Sequence, residues 1–471
     1  MISNRKPGRP RNVEPGKLRL RTALMALSLV PGLAFAADSQ DTPDGQAADR
    51  RSPETPQYWA IHAQSTFLLQ YHPGFGSSVP QGPQSLDSGR RGNETFDATI
   101  YAGLRLWSGA ELWINPEADQ GFGLQNTLGI AGYTSGEAYK VGETDPYYRM
   151  TRVFVRQTIG LGGETEKVDP DLNVLGGSHD KNRLVITAGK FSVTDIFDAN
   201  TYAHDPRADF MNWSLIDSGA FDYAADSWGY TYGAAIEWYQ DWWTLRAGLF
   251  DLSATPNSEH LDLRPGQQVE GVIEAEERHT ILGLPGKLKL LLYVNHGLFA
   301  RLSDFSRAAA TTGVAPTLAS LRHLKNRPGA ALNLEQSLAD DLGVFARLSV
   351  ADGHYETMDF TDIDQSAAVG LSLKGARWGR DADVVGAAFV VNEASRERLD
   401  FFRAGGLGVL VGDGFGQPAN AGPEQIFETY YNVAATPWLN VTVDYQVVNH
   451  PGYNAGRGPV HVFGFRLHAQ I

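Results

Sequence analysis

Val460-His461-Val462-Phe463-Gly464-Phe465-Arg466-Leu467-His468-Ala469-Gln470-Ile471 sets Phe463, Phe465, Leu467, Ala469 and Ile471 on one face of an extended chain and Val462, Gly464, Arg466, His468 and Gln470 on the other. Side chains alternate across a strand, so this is a β-strand with one apolar side. A two-faced strand in this position needs a neighbour, and the expected one is the first strand, in a closed barrel. Phe465 should then meet lipid, and a small polar side chain at Gly464 should be tolerated.

The same alternation recurs upstream. In Trp59 to Tyr71, Trp59, Ile61, Ala63, Phe67 and Leu69 oppose His62, Gln64, Thr66 and Gln70. Phe96 to Leu106 and Trp438 to Asn449 repeat the pattern. Weaker runs predict strands near 110–117, 148–160, 183–193, 228–239, 242–252, 270–282, 287–297, 330–338, 342–351, 363–374, 382–392, 424–435 and 459–471, about sixteen in all. Tight joins such as Ser108-Gly109, Gln240-Asp241 and Thr436-Pro437 alternate with long ones at 72–95, 118–147, 194–227, 253–269, 298–329 and 393–423. Short turns on one rim and long loops on the other are the asymmetry of an outer-membrane barrel. Residues 161–182 break the rule, since a short turn is due there.

The chain is therefore read as all-β, a transmembrane antiparallel β-barrel with short periplasmic turns and long extracellular loops. Its longest apolar run, Val384 to Val391, is far below the ~18 residues of a membrane helix. A barrel spreads its apolar residues over every second position, so modest hydropathy fits. Trp59, Trp107, Trp113, Trp228, Trp238, Trp242, Trp243 and Trp438 fall near predicted strand ends, where aromatic girdles sit. A soluble sandwich is usually much shorter, and a propeller should repeat every ~40–50 residues, which this sequence does not.

Seven basic residues from Arg5 to Arg21, an apolar run from Thr22 to Phe35 and Ala34-Phe35-Ala36 make residues 1–36 an expected export signal, interrupted by Pro31 and Gly32 and too short to span. Residues 37–57 are a polar leader and 58–471 the barrel domain. Residues 1–36 carry seven Lys or Arg and one acid. Without them the 40 basic and 54 acidic residues become 33 and 53, and the net charge moves from −14 to −20. Nucleic acid is not an expected partner of so acidic a chain. The absence of cysteine excludes disulfides and thiolate metal sites.

With apolar faces toward lipid, the inner faces contribute Arg105, Glu111, Arg152, Arg156, Arg246, Lys289, Glu335, Arg347 and Asp444. Charges of both signs predict a wet lumen with a transverse field, and sixteen strands leave room for an aqueous channel. The 194–227 join mixes Asp195, Asp198, Asn200, Asp205, Arg207 and Asn212 with Phe197, Tyr202, Phe210 and Trp213. Planar polar groups beside rings suit sugars inside a pore. They equally suit an outer-surface loop held by its own Asx turns and ion pairs, so both readings stand. No nucleophile elbow or His-Glu-x-x-His occurs, and Gly412-Asp413-Gly414-Phe415-Gly416 lies in a long join, so no catalytic residue, cofactor or metal is expected.

Gly189-Lys190-Phe191, Asp195-Ile196-Phe197-Asp198-Ala199-Asn200-Thr201-Tyr202-Ala203-His204-Asp205-Pro206-Arg207, Phe210-Met211-Asn212-Trp213 and Tyr223-Ala224-Ala225-Asp226 resemble the carbohydrate-selective porin family, OprB type. So do Leu106-Trp107-Ser108-Gly109-Ala110-Glu111-Leu112-Trp113, Gln120-Gly121-Phe122-Gly123-Leu124, Gly343-Val344-Phe345-Ala346-Arg347 and the stretch from Glu428-Thr429-Tyr430-Tyr431 through Thr436-Pro437-Trp438 to Asn449-His450-Pro451-Gly452. The resemblance implies a sixteen-stranded porin of the bacterial outer membrane. It implies facilitated diffusion of mono- and small oligosaccharides, with glucose favoured by some members, through a lumen narrowed by inward-folded loops. Residues 194–227 are accordingly expected to enter the pore, with Asp195, Asp198, Asn200, Asp205, Arg207, Phe210 and Trp213 at its constriction. Expected partners are lipid, small sugars and the barrel assembly machinery, reached through the terminal strand, with the protein a monomer or trimer. Ile471 departs from the aromatic residue that ends many barrels. A general or ion-selective porin, and a non-conducting barrel enzyme or adhesin, are the alternatives. A plugged 22-stranded receptor is a third, weaker alternative, since the roughly twenty leader residues cannot form a plug for such a lumen.

Overall fold

The computed structural model describes residues 56–137, 142–264, 266–412 and 421–471. The export-signal and leader readings, apart from residues 56 and 57, lie outside those residues, as does most of the Gly412–Gly416 run.

Among the described residues four strands come first: β1 (Trp59–His72), β2 (Arg91–Trp107), β3 (Ala110–Gly121) and β4 (Glu143–Gly160). After them come β5 (Thr165–Val168), β6 (Gly177–Asp180), β7 (Arg183–Phe191), β8 (Thr231–Tyr239), β9 (Trp243–Asp251) and β10 (Val269–Ile281). The remainder are β11 (Leu284–Ala300), β12 (Arg322–Ala339), β13 (Leu342–Ala351), β14 (Gln365–Gly375), β15 (Arg380–Glu393), β16 (Glu424–Thr436), β17 (Leu439–Asn449) and β18 (Val460–Gln470). Sixteen of them close into one antiparallel barrel. β5 and β6 stand apart as a small hairpin, so 161–182 holds two extra strands outside the ring, and β4 pairs directly with β7.

The ring closes where sequence alternation requires. β18 runs antiparallel to β1 with Phe463 opposite Tyr71 and Gln470 opposite Gln64. Phe463 and Phe465 are exposed on the outside, whereas Val462, Gly464, Arg466 and His468 are buried inside. Lipid accepts no unpaired backbone edge, so closure satisfies every strand's ladder.

Trp59, Trp107, Trp238, Trp242 and Trp438 are exposed on the short-turn rim, joined there by Trp378. Trp243 packs edge-on against Trp238. On the long-loop rim exposed Tyr71, Tyr148 and Tyr232 take the place of tryptophan. Trp113 and Trp228 do not belong to the girdle. Trp113 is fully buried on the inner face and donates to Glu111 Oε2 (3.1 Å), and Trp228 donates to Tyr147 Oη (3.0 Å) beneath Arg149. An indole N–H with a charged or hydroxylated partner available turns inward, which strand-end position alone does not reveal.

Glycine has a specific use in the wall. Trp113, Phe250, Tyr293, Phe345 and Tyr430 are buried on the inner face, opposite Gly103, Gly233, Gly329, Gly370 and Gly386 in register. A Cβ at those glycines would lie 2.2–2.4 Å from the facing ring. Each ring lies flat across its neighbour's backbone, a cross-strand pairing that fixes register. Gly464 is confined in the same way, since a Cβ there would meet Asp444 Cβ at 2.9 Å and Met211 sulfur at 3.3 Å. The expectation that a side chain is tolerated at Gly464 is therefore wrong: it faces inward, but onto packed protein.

Candidate functional site: the loop-narrowed lumen

The β7–β8 connection, 192–230, lies inside the barrel. It begins with a capping box, in which Ser192 N–H donates to Asp195 Oδ2 (3.0 Å). From there it is stapled to the inner faces of β10 through β18. Glu274 on β10 accepts the Asp198 N–H (2.8 Å), and on β12 Asn333 and Glu335 bind Asn200 and Thr201. Arg347 on β13 donates to the carbonyls of Leu215 (2.6 Å), Ala203 (2.8 Å) and Asp198 (3.2 Å). On β16, Glu428 accepts from the N–H groups of Met211 and Asn212, and Gln446 on β17 accepts from the Asn212 amide. Arg466 on β18 donates to the Pro206, Ala208 and Asp209 carbonyls. A buried loop must satisfy its backbone polar groups, and here lumen side chains do so.

This changes the role of several predicted lumen charges. Arg246, Glu335, Arg347 and Asp444 point inward but are buried. Arg246 is ringed by Glu237, Glu274 and Glu276 at 2.7–3.0 Å, and Asp444 accepts from Gln446 (3.1 Å) beside Glu428. They hold protein to protein and do not oppose one another across open water. Lys289 donates to the Ala199 carbonyl. Phe210 and Trp213 are buried too: Phe210 packs edge-on against Phe345 and Tyr430, and Trp213 stacks on Tyr133. The rings that looked suited to sugar faces form the loop's own core.

The opposite wall, β2, β3, β4 and β7, meets the loop through pairs whose basic side chains keep some exposure while most of their carboxylates are buried. Arg152 makes a bidentate pair with Asp195 (2.6 and 2.7 Å). Arg207 lies 3.0 Å from Glu137 and 3.7 Å from both Asp97 and Glu117, while its own N–H donates to Asp205 Oδ1. Arg149 bonds Glu117 (3.0 Å) and Asp119 (2.7 Å) and lies over the rings of Trp228 and Tyr230. Lys190 faces Asp226 at 3.3 Å. At the short-turn end, Arg105 and Arg156 flank Glu111 at 3.6 and 3.9 Å. In the loop, burial and then the Asp205 carboxylate push Asp209 up to about 6.

Arg149, Lys190, Asp97, Glu117, Asp119, Tyr230 and Trp228 were not anticipated. Strict alternation from Arg152 puts Arg149 on the lipid face, but the register shifts between Asn115 and Pro116, so Arg149 and Arg152 both turn inward. Pro116 cannot donate to the ladder, and a proline inside a strand marks such a bulge. That was the available signal.

A closed sixteen-stranded barrel with a loop bonded into its lumen defines a porin-type outer-membrane channel fold. The profile of the carbohydrate-selective porin, OprB family, matches residues 84–471, and the chain belongs to that family. OprB of Pseudomonas putida, in its high-pH structure, superposes with a TM-score of 0.65 at 18% identity, over 88% of this chain and 94% of that one. At that identity the likeness speaks to the fold. Porin AaxA of Chlamydia abortus is 20% identical over 330 residues, 68% of this chain and 62% of that protein, so the chain spans less than two thirds of that relative. Family and fold place the protein in a bacterial outer membrane.

Proposed function

We propose that the protein is a facilitated-diffusion channel for mono- and small oligosaccharides, with glucose-type sugars favoured. The observation that carries this reading is the asymmetry of the lumen. The loop is stapled to β10–β18 through buried groups, whereas Arg149, Arg152, Lys190 and Arg207, with Asp195 and Trp228, keep partly open polar and aromatic surface on the β2–β7 side. The basic groups and Asp195 supply donors and acceptors for hydroxyls, and the partly exposed Trp228 ring supplies a surface for C–H groups. Fixed charges of both signs favour neutral hydroxylated solutes over either ion.

Liposome swelling with a panel of sugars and size-matched amino acids tests this. Faster entry of monosaccharides than of zwitterions of equal size is expected. Equal rates would favour a general diffusion pore. Residues 1–36 act in this reading as an export signal, which the mass of the mature protein from outer membranes would check.

A further inference from the structure

At the short-turn rim the connections between barrel strands are two to four residues long, except for 161–182. This excursion turns inward. Leu175 is 2% exposed and packs in the same apolar cluster as Trp113 and Ala60. Arg156 donates to the Asn173 carbonyl (2.8 Å), and Arg105 reaches the Gly176 carbonyl (3.4 Å). Gln57 clamps Gly176 from the other side, its N–H donating to the glycine carbonyl (3.0 Å) and its Oε1 accepting from the glycine N–H (2.8 Å). Farther round the ring, Gln470 Nε2 lies 3.5 Å from Asp171 Oδ1.

β4, β3, β2, β1 and β18 are consecutive in the barrel. A segment that leaves β4 and reaches Gln470 on β18 therefore crosses the inner faces of five strands at the periplasmic end. Its course lies below the side of the lumen where the β7–β8 loop meets the partly exposed basic side chains Arg149, Arg152 and Lys190. A solute moving along that side meets the excursion before it leaves. Arg105 and Arg156 each carry five guanidinium N–H donors and use few of them here, and Glu111 between them offers acceptors.

We propose that residues 169–177, together with Arg105, Glu111 and Arg156, form a second filter at the periplasmic exit that sets the upper size limit for saccharides. This rests on the channel reading above. The filter works by narrowing and by hydrogen bonding: the excursion is fixed by bonds to β2, β4, β18 and the segment before β1, so a longer saccharide must displace it.

Two variants test the proposal. Replacing 164–181 with an Asn-Gly turn should raise single-channel conductance and increase trisaccharide uptake relative to monosaccharide several-fold in liposomes. Asn173→Cys introduces the sole thiol, because the chain has no cysteine. A bulky cationic methanethiosulfonate added from the periplasmic side should then reduce its current. Should the shortened barrel fail to assemble, the thiol variant decides alone. Unchanged conductance and size limit in an assembled shortened barrel, or an unaltered current after confirmed labelling of Cys at 173, would overturn the filter. A wild-type protein that conducts nothing would remove the channel reading, and this one with it, whereas a conducting wild type with indifferent variants removes the filter alone.

Discussion

Arg149 and Arg152 point into the same lumen although an odd number of positions separates them, because the bulge opposite Pro116 absorbs Thr151. Both guanidinium groups lie over the ring of Tyr230, at 5.7 and 5.0 Å. Together they form a cationic step opposite the acidic residues of β2 and β3. Replacing either with Met should move the reversal potential in a salt gradient toward the cation's. The double variant should move it further, though not by the sum, since the two share Tyr230. No movement would mean that permeating ions do not pass this step.

The hold of Arg347 on three loop carbonyls predicts a variant with an intact barrel and a loosened loop. Losing one side of a buried charged contact costs about 3–5 kcal/mol. Arg347→Met should therefore expose the loop near Ala203–Leu215 to protease while heat-modifiable mobility on gels stays normal. Protease resistance equal to wild type would show that the other staples suffice.

Gly386→Val would drive a side chain into the ring of Tyr430, whose edge is 2.2 Å from an added Cβ, and toward Phe210 at 2.9 Å. Overpacking of this kind costs about 1–3 kcal/mol. The temperature at which the folded gel band disappears should fall. A glycine at this site for chain flexibility alone would leave that temperature unchanged.

Phe465→Arg places a charge on the lipid face, at a cost of roughly 2–4 kcal/mol near mid-membrane. It should impair assembly, whereas Arg156→Gln, on the inner face, should assemble normally. Gly464 is no control for this experiment, given its contact with Asp444. Equal yields of folded Phe465→Arg and Arg156→Gln barrels would contradict the alternation itself.

Asp209 predicts a pH effect on the loop. Its pKa is raised in the folded loop, to about 6 from an ordinary 3.8. The folded loop then binds the proton more tightly than a detached one. The stabilisation is full below about 3.8 and lost as pH rises through about 6. Open-channel current should thus be quieter at pH 5 than at pH 7, and Asp209→Asn should remove the difference.

Much of the wall is legible in the sequence, because lipid on one side and water on the other force period-two alternation. The inward positions of Arg105, Arg152, Arg156 and Arg347 followed from that alone. What Arg347 holds did not follow, since its partners are backbone carbonyls more than a hundred residues away. The destination of the β7–β8 loop was undecidable from its residues, as Asp, Asn and aromatic side chains suit a surface loop equally well. The ring-on-glycine pairs depend on register, which a strand pattern leaves open. Arg149 was lost to a bulge whose marker, Pro116, was present in the sequence.

Thr66 Oγ1 and His468 Nδ1 meet at 3.1 Å across the β1–β18 seam, 402 positions apart. Until β18 is delivered, every intermediate is an open sheet with two bare edges, which hydrocarbon does not accommodate. The barrel therefore cannot be laid into the membrane strand by strand as it emerges. The chain must cross the periplasm unsealed, with its alternating apolar faces kept from one another.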